Sequence, residues 1–183
     1  MIKELYQFIT SPKQYIYTNI NNLPKHLAYS GIIIYALTQG LAFNLTASFN
    51  NLLFLSAIYL ILNTIAMIVS VSFIDFFAQI TNCKAKSKTL FFWMFTPYIF
   101  SALFVPAQLL ISVWSGLLSL LITWILIATI VSLQLYIIKQ IYNVSSIKGF
   151  MLYISPILII TSILFISLII IGRTLINFIS LII

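Results

Sequence analysis

The 183-residue sequence is 62% hydrophobic and only 6% charged, with a mean hydropathy of +1.16. A water-facing surface needs far more charge than this, so a soluble globular protein is excluded and the lipid bilayer is the expected solvent. No alternation of apolar and polar residues marks short strands, which argues against a β-barrel. We therefore predict an all-α, polytopic integral membrane helical bundle.

The net charge of +7 comes from nine Lys and Arg residues spread over loops between apolar stretches. Nucleic-acid binding requires clustered cations on one face with aromatic platforms, so we expect no nucleic-acid partner. The basic residues are better explained as a topology signal and as contacts with anionic lipid headgroups.

Residues 1–26 form the extended polar region of the sequence and predict a cytoplasmic, amphipathic N-terminal segment. Four apolar residues recur at the spacing of one helical face: Ile2, Leu5, Tyr6 and Ile9. This pattern indicates a short helix lying on the membrane surface. Ser11-Pro12 predicts an N-cap and the first turn of a second helix, which would turn Tyr15, Ile16 and Ile20 inward and end before Pro24. Because both helices are short, membrane contact would stabilise them.

Five apolar stretches then predict five transmembrane helices, at about residues 27–45, 52–80, 89–111, 117–138 and 150–171. Residues 89–138 carry no charged side chain and would form a helix about 75 Å long, more than twice the roughly 30 Å hydrocarbon core. They must therefore cross twice, with a turn at residues 112–116. Pro97 and Pro106 each remove a backbone hydrogen bond and predict a kinked or locally unwound third span. After Arg173 the chain forms a short interfacial C-terminal tail or continues the fifth helix.

In this arrangement eight lysines fall on one side of the membrane: Lys3, Lys13, Lys25, Lys84, Lys86, Lys88, Lys139 and Lys148. The other side holds two uncharged loops and Arg173. The positive-inside rule then places the N-terminus in the cytoplasm and the C-terminus outside. We expect a multi-pass protein of a bacterial cytoplasmic (inner) membrane.

Asp75 is the acidic residue of the predicted spans, and an ionisable group deep in a bilayer normally marks function. A crossing takes about 20 residues, so Asp75 should lie about one turn beyond the second crossing, near the cytoplasmic interface. There it would pair with Lys86, Lys88 or Lys139, be hydrated, or handle protons or cations. Gln79 is its neighbour on the same helical face.

Four neutral polar residues also lie within spans: Gln39, Asn63, Gln108 and Gln134. Such groups hydrogen-bond between helices or line a solute path. The candidate functional or structural positions are Asp75, Gln79, Asn63, Pro97, Pro106, Gln108, Gln134, Lys139 and Lys148. No catalytic constellation, phosphate-binding loop or metal-ligand spacing is found, so we predict neither enzymatic activity nor a cofactor.

Three stretches resemble the Yip1-domain family of membrane proteins: residues 8–12 with Leu23-Pro24, Phe95-Thr96-Pro97 continuing to Pro106, and residues 142–149. The resemblance is to compact bacterial members, and it implies five spans with a cytoplasmic N-terminus. It further implies a non-enzymatic organising or partner-binding element, with a membrane-protein partner or a homo-oligomer. The alternative function is a small transporter or channel that uses polar residues of spans two and three.

Overall fold

The computed structural model describes residues 2–43, 49–113 and 116–182, without the side chains of residues 42, 43, 49, 110–113, 116, 172 and 174–182. Every element in this part of the chain is helical. The helices are α1 (Ile2–Thr10), α2 (Pro12–Asn19), α3 (Lys25–Phe43), α4 (Phe49–Ile80), α5 (Ser87–Phe95), a 3₁₀ segment (Thr96–Leu103), α6 (Phe104–Val113), α7 (Gly116–Tyr142) and α8 (Ser146–Ile182).

Four stretches are long and apolar enough to cross a membrane: Asn50–Ile80, Ser87–Leu109, Leu117–Tyr142 and Ser146–Ile171. They confirm the all-α, polytopic membrane class and correspond to the second to fifth predicted spans. Helix α3, the predicted first span, is not among the four, so its crossing stays a prediction.

Helix α3 packs against α4 and the 3₁₀ segment. In the predicted turn at 112–116, α6 ends at Val113 and α7 begins at Gly116, and residues 114 and 115 lie outside the described residues.

Helices α1 and α2 are held by the bundle as well as by any membrane contact. Phe8 and Ile16 are completely buried, and the Phe8 ring lies 5.9 Å from the ring of Phe100 in the third span. The inward face predicted for α2 is confirmed by Ile16. In α1, however, Ile2, Tyr6 and Ile9 are exposed. Phe8 therefore anchors α1 to the protein together with the partly buried Leu5, and the other three residues of the predicted apolar face remain exposed.

The third span changes its helical form at Pro97, as its prolines predicted. Helix α5 ends at Phe95, and the chain continues as 3₁₀ helix from Thr96 to Leu103 before α6 begins. Pro97 has no N–H to donate, so the Trp93 carbonyl oxygen loses its α-helical partner. That oxygen instead accepts from the Thr96 backbone N–H, in the 3₁₀ pattern, and from the Thr96 hydroxyl at 2.9 Å. Pro106 lies in the first turn of α6, where a missing N–H costs little.

Helix α8 runs without a break from Ser146 to Ile182, so the residues after Arg173 continue the fifth helix. This is the second of the two alternatives left open by the sequence. Pro156 lies inside α8 and was not singled out from the sequence. The Ser155 hydroxyl donates to the Leu152 carbonyl oxygen at 2.7 Å, the oxygen that Pro156 leaves without a backbone donor.

The core of the bundle lies around α5, where Leu90, Trp93 and Phe95 are buried. Helix α3 reaches this core closely because Gly31 has no side chain: a Cβ atom there would overlap the Phe95 carbonyl oxygen. Trp93 also ties the N-terminal segment to the core, since its Nε1–H donates to the Asn22 carbonyl oxygen at 3.1 Å. Small residues such as Gly31 let membrane helices approach one another.

Candidate functional site

Asp75, near the end of α4, is 5% exposed, and both of its carboxylate oxygens accept hydrogen bonds. Oδ1 accepts from the Tyr142 hydroxyl at 2.5 Å and from the Lys86 backbone N–H at 2.8 Å. Oδ2 accepts from the Gln79 side-chain amide at 3.0 Å, so the predicted same-face contact of these two residues is present. Asp75 therefore ties together the ends of α4 and α7 and the loop between α4 and α5.

The contact of Asp75 with Lys86 is made by the backbone and not by the ammonium group. The Lys86 Nζ donates to the Ile141 carbonyl oxygen at 2.9 Å, in the last turn of α7. In the same way the Lys148 Nζ donates to the Thr81 carbonyl oxygen at 3.1 Å, just after the end of α4. Cations at helix C-termini satisfy free carbonyls and the negative end of the helix dipole. The ends of α4 and α7 are thus each capped by a lysine from another element.

The two helix ends share a backbone motif as well. Asn82 and Asn143 have positive φ angles of 64° and 52°. The N–H groups of Cys83 and Val144 reach back five residues, to the carbonyls of Ala78 and Lys139. This is the Schellman arrangement, with Asn in the left-handed position usually held by Gly. We call this end of the bundle, residues 81–86 and 142–148, the lysine end.

A cavity of about 420 Å³ lies inside the bundle, away from Asp75. It is partly open and is lined by residues of α3, the third span, α7 and α8: Tyr35, Thr38, Gln39, Tyr98, Phe104, Gln108, Thr123, Ile127, Ile130, Val131, Gln134 and Tyr153. The fold thus brings together Gln39, Gln108 and Gln134, from three different predicted spans. Its lining carries amides, phenols and hydroxyls but no charged group.

Gln134 is 3% exposed and both ends of its amide are used. Nε2 donates to the Met94 carbonyl oxygen at 3.2 Å, and Oε1 accepts from the Tyr153 hydroxyl at 2.9 Å. In 3₁₀ geometry the Met94 carbonyl would be paired with the N–H of residue 97, which is a proline. Gln134 therefore supplies the donor that Pro97 lacks, and it joins α7 to both the third span and α8.

The other two glutamines of the cavity are placed differently. The side chains of Gln39 and Gln108 are half-buried and have no hydrogen-bond partner among the described residues. The Thr123 hydroxyl, also in the lining, is buried and has no partner within the described part of the chain. These three groups line the cavity with hydrogen-bonding capacity that no described residue uses and that water or a ligand can meet.

Of the remaining predicted positions, Asn63, Pro106 and Lys139 belong to neither site, whereas Lys148 is part of the lysine end. Asn63 lies on α4 outside the cavity lining, and its buried Nδ2 has no partner in the parts of the chain described here. Pro106 is exposed on α6. The Lys139 Nζ donates to the Ser146 hydroxyl at 3.2 Å, across the turn between α7 and α8.

Sequence reasoning missed the tyrosines that complete both sites. Tyr142 donates to Asp75, and Tyr35, Tyr98 and Tyr153 line the cavity. Tyrosine is common at membrane interfaces, so the presence of a tyrosine in the sequence does not by itself indicate a site. A usable signal was present at the prolines, because Thr96-Pro97 and Ser155-Pro156 each place a hydroxyl directly before the missing N–H.

The long apolar helices and the buried polar groups between them define an integral membrane helical protein. Comparison of the chain with protein-family models, curated proteins and solved structures finds no match. The resemblance to the Yip1-domain family therefore gains no support from these comparisons. Among the described residues no group of three or more His, Cys, Asp or Glu side chains is placed to hold a metal ion.

Proposed function

We propose that this protein is a small, non-enzymatic transporter whose intramembrane cavity takes up an uncharged, hydrogen-bonding solute. The observation that carries the proposal is the cavity of about 420 Å³ in which groups of Gln39, Gln108 and Thr123 have no hydrogen-bond partner among the described residues. Cavities of this size hold small ligands, with a few polar groups fixing orientation among apolar walls. The proposed setting is a five-span bundle in a bacterial cytoplasmic membrane, with the N-terminus inside.

The chemistry of the lining selects for neutral solutes. A charged solute would leave water without meeting a counter-charge, because no Asp, Glu, Lys or Arg lines the cavity. Each glutamine amide offers both a donor and an acceptor, which matches hydroxyl, amide or urea groups. Asp75 is not part of this path, since its oxygens are occupied at the other site. Proton coupling through Asp75 is therefore not part of the proposal.

Solute flux into proteoliposomes tests this function. Vesicles containing the purified chain would be mixed with glycerol, urea or formamide, and their shrinking and swelling followed by light scattering. We expect faster re-swelling than in protein-free vesicles for at least one solute, and a loss of this rate in Gln108→Leu. Asn63→Leu is the matched control, because it removes an amide from a span but not from the cavity. Flux equal to that of empty vesicles for all three solutes would refute the proposal.

A second candidate function, an organising element of Yip1 type that acts as a homo-oligomer, is favoured by the surface of α8. Between Ile157 and Ile171 this helix is exposed at almost every position, on all of its sides. A partner helix would bury this surface, and coverage by lipid chains is the alternative that the experiment tests. Cross-linking decides between them: with Cys83→Ala as background, Leu164→Cys should form disulfide-linked dimers in membranes. Ile61→Cys, on the exposed face of α4, should not. Equal cross-linking at both positions would contradict a specific α8 interface.

A further inference from the structure

The lysine end contains a second cavity, of about 380 Å³, that differs in character from the one inside the bundle. It lies between the loop after α4 and the turn before α8, and its lining is Thr81, Asn82, Cys83, Lys84, Lys86, Ile141, Tyr142, Asn143, Val144 and Lys148. Three of these residues are cationic and none is a carboxylate. The spans on either side end at Ile80 and Tyr142, so the cavity is at the level of a membrane interface.

The nearest acid does not neutralise the three lysines. Asp75 is buried behind Tyr142, and its oxygens face the Tyr142 hydroxyl, the Lys86 N–H and the Gln79 amide. An anion in the cavity would therefore contact Tyr142, which lines it, and not Asp75, which does not. The three ammonium groups of the lining outnumber this one carboxylate, so the net charge around the cavity remains positive.

The donors of these ammonium groups are only partly used. An ammonium group has three N–H donors, and Lys86 and Lys148 each spend one on a helix-terminal carbonyl. These bonds fix the two side chains at the cavity wall. The Lys84 side chain has no partner among the described residues. Two positioned cations and one unpaired cation thus line a concave site.

We propose that this cavity binds a phosphate group, as carried by an anionic lipid headgroup or by free phosphate. A phosphate accepts several hydrogen bonds at once and favours sites with converging cations. The site lies at the interface depth of lipid phosphates, which favours the headgroup as the source. The proposal is independent of solute transport through the other cavity and of the direction in which the chain is inserted.

Cys83 offers a direct readout, because it is the single cysteine of the sequence and lines this cavity. The full chain, purified in a neutral detergent, would be alkylated with N-ethylmaleimide and the reaction followed by mass spectrometry. Dioctanoyl phosphatidylglycerol at about ten times its Kd should slow the reaction roughly tenfold by occupying the site. Dioctanoyl phosphatidylcholine, which has no net charge, should leave the rate unchanged. Inorganic phosphate is the third arm, and protection by it alone would identify free phosphate as the source.

Lys84→Gln removes a cation from the cavity without removing a helix cap. We expect its phosphatidylglycerol concentration for half-protection to rise roughly fivefold. Lys88→Gln is the matched control, since Lys88 is in the same charged stretch but outside the lining. Protection that is equal in these two variants would mean a general charge effect and would overturn the proposal. Equal alkylation rates with and without both phosphatidylglycerol and inorganic phosphate would overturn it as well.

Discussion

The lysine end and the intramembrane cavity are both polar, but they differ in how many of their polar groups have hydrogen-bond partners. At the lysine end Asp75 accepts three hydrogen bonds, and the last turns of α4 and α7 are capped by lysines. In the cavity only Gln134 is held at both ends of its amide, whereas Gln39 and Gln108 have no partner among the described residues. Satisfied groups hold the helices in place, and unsatisfied groups beside an open space are available to a ligand.

Removing Asp75 should have the largest effect on stability, because it removes the acceptor of three donors at once. Asp75→Ala leaves the Tyr142 hydroxyl, the Lys86 N–H and the Gln79 amide without it, and we expect a loss of about 3 to 5 kcal/mol. Unfolding by SDS titration, followed by circular dichroism, would measure it. A loss below about 1 kcal/mol would contradict a structural role.

Asp75→Asn is the matched comparison for that experiment. The Asn oxygen can still accept from Tyr142 and Lys86, and its amide can donate to Gln79 once the Gln79 amide is turned over. We expect a loss of only about 1 to 2 kcal/mol, from weaker bonds to a neutral acceptor. Solute flux should be unchanged in this variant, because Asp75 does not line the cavity.

A glycine pair tests the close packing of α3 against the third span, two of the elements that line the intramembrane cavity. Gly31→Ala places a Cβ atom on the Phe95 carbonyl oxygen, so α3 must move away from the third span. We expect a cost of about 1 to 3 kcal/mol, as for other overpacked cores. Gly149→Ala is the control, since its Cβ would have ordinary contacts with Lys139 at 3.8 Å. That variant should be neutral or slightly more stable by SDS titration, because Ala favours the helix. Equal losses in both variants would show that helix approach is not the cause.

The glutamines of the cavity should differ in how much their replacement destabilises the protein. Gln134→Leu removes the donor to the Met94 carbonyl and the acceptor of Tyr153, and should cost about 1 kcal/mol. Gln108→Leu breaks no hydrogen bond within the described chain and should change stability by less than about 0.5 kcal/mol. SDS titration checks both, beside the flux of the same variants. A larger loss of stability in Gln108→Leu than in Gln134→Leu would contradict this difference between the two residues.

The spans could be predicted from the sequence because hydrophobicity along the chain decides which segments enter lipid. Their mutual rotation could not, because α4 and α7 are apolar on nearly all sides and have no polar face to orient them. The meeting of Gln39, Gln108 and Gln134 therefore required the structure. The same holds for Asp75, whose partner Tyr142 is 67 residues away in the chain. The choice of Phe8 over Ile2 and Tyr6 as the anchor of α1 depends on its contact with the Phe100 ring, which is distant in the sequence and which no local pattern reports.

The smallest expected effect concerns the helix caps at the lysine end. Lys148→Met keeps the aliphatic stem but loses the bond to the Thr81 carbonyl, which is partly exposed and can be hydrated instead. Helix-terminal cations of this kind contribute about 0.3 to 1 kcal/mol, and the value falls with salt. We expect a loss in this range at low salt that shrinks by about half or more in roughly 0.5 M NaCl, because exposed charges are screened. Lys13→Met, in the N-terminal segment, should show no loss at either salt concentration. A salt-independent loss in Lys148→Met would mean that the stem, and not the charge, stabilises the end of α4.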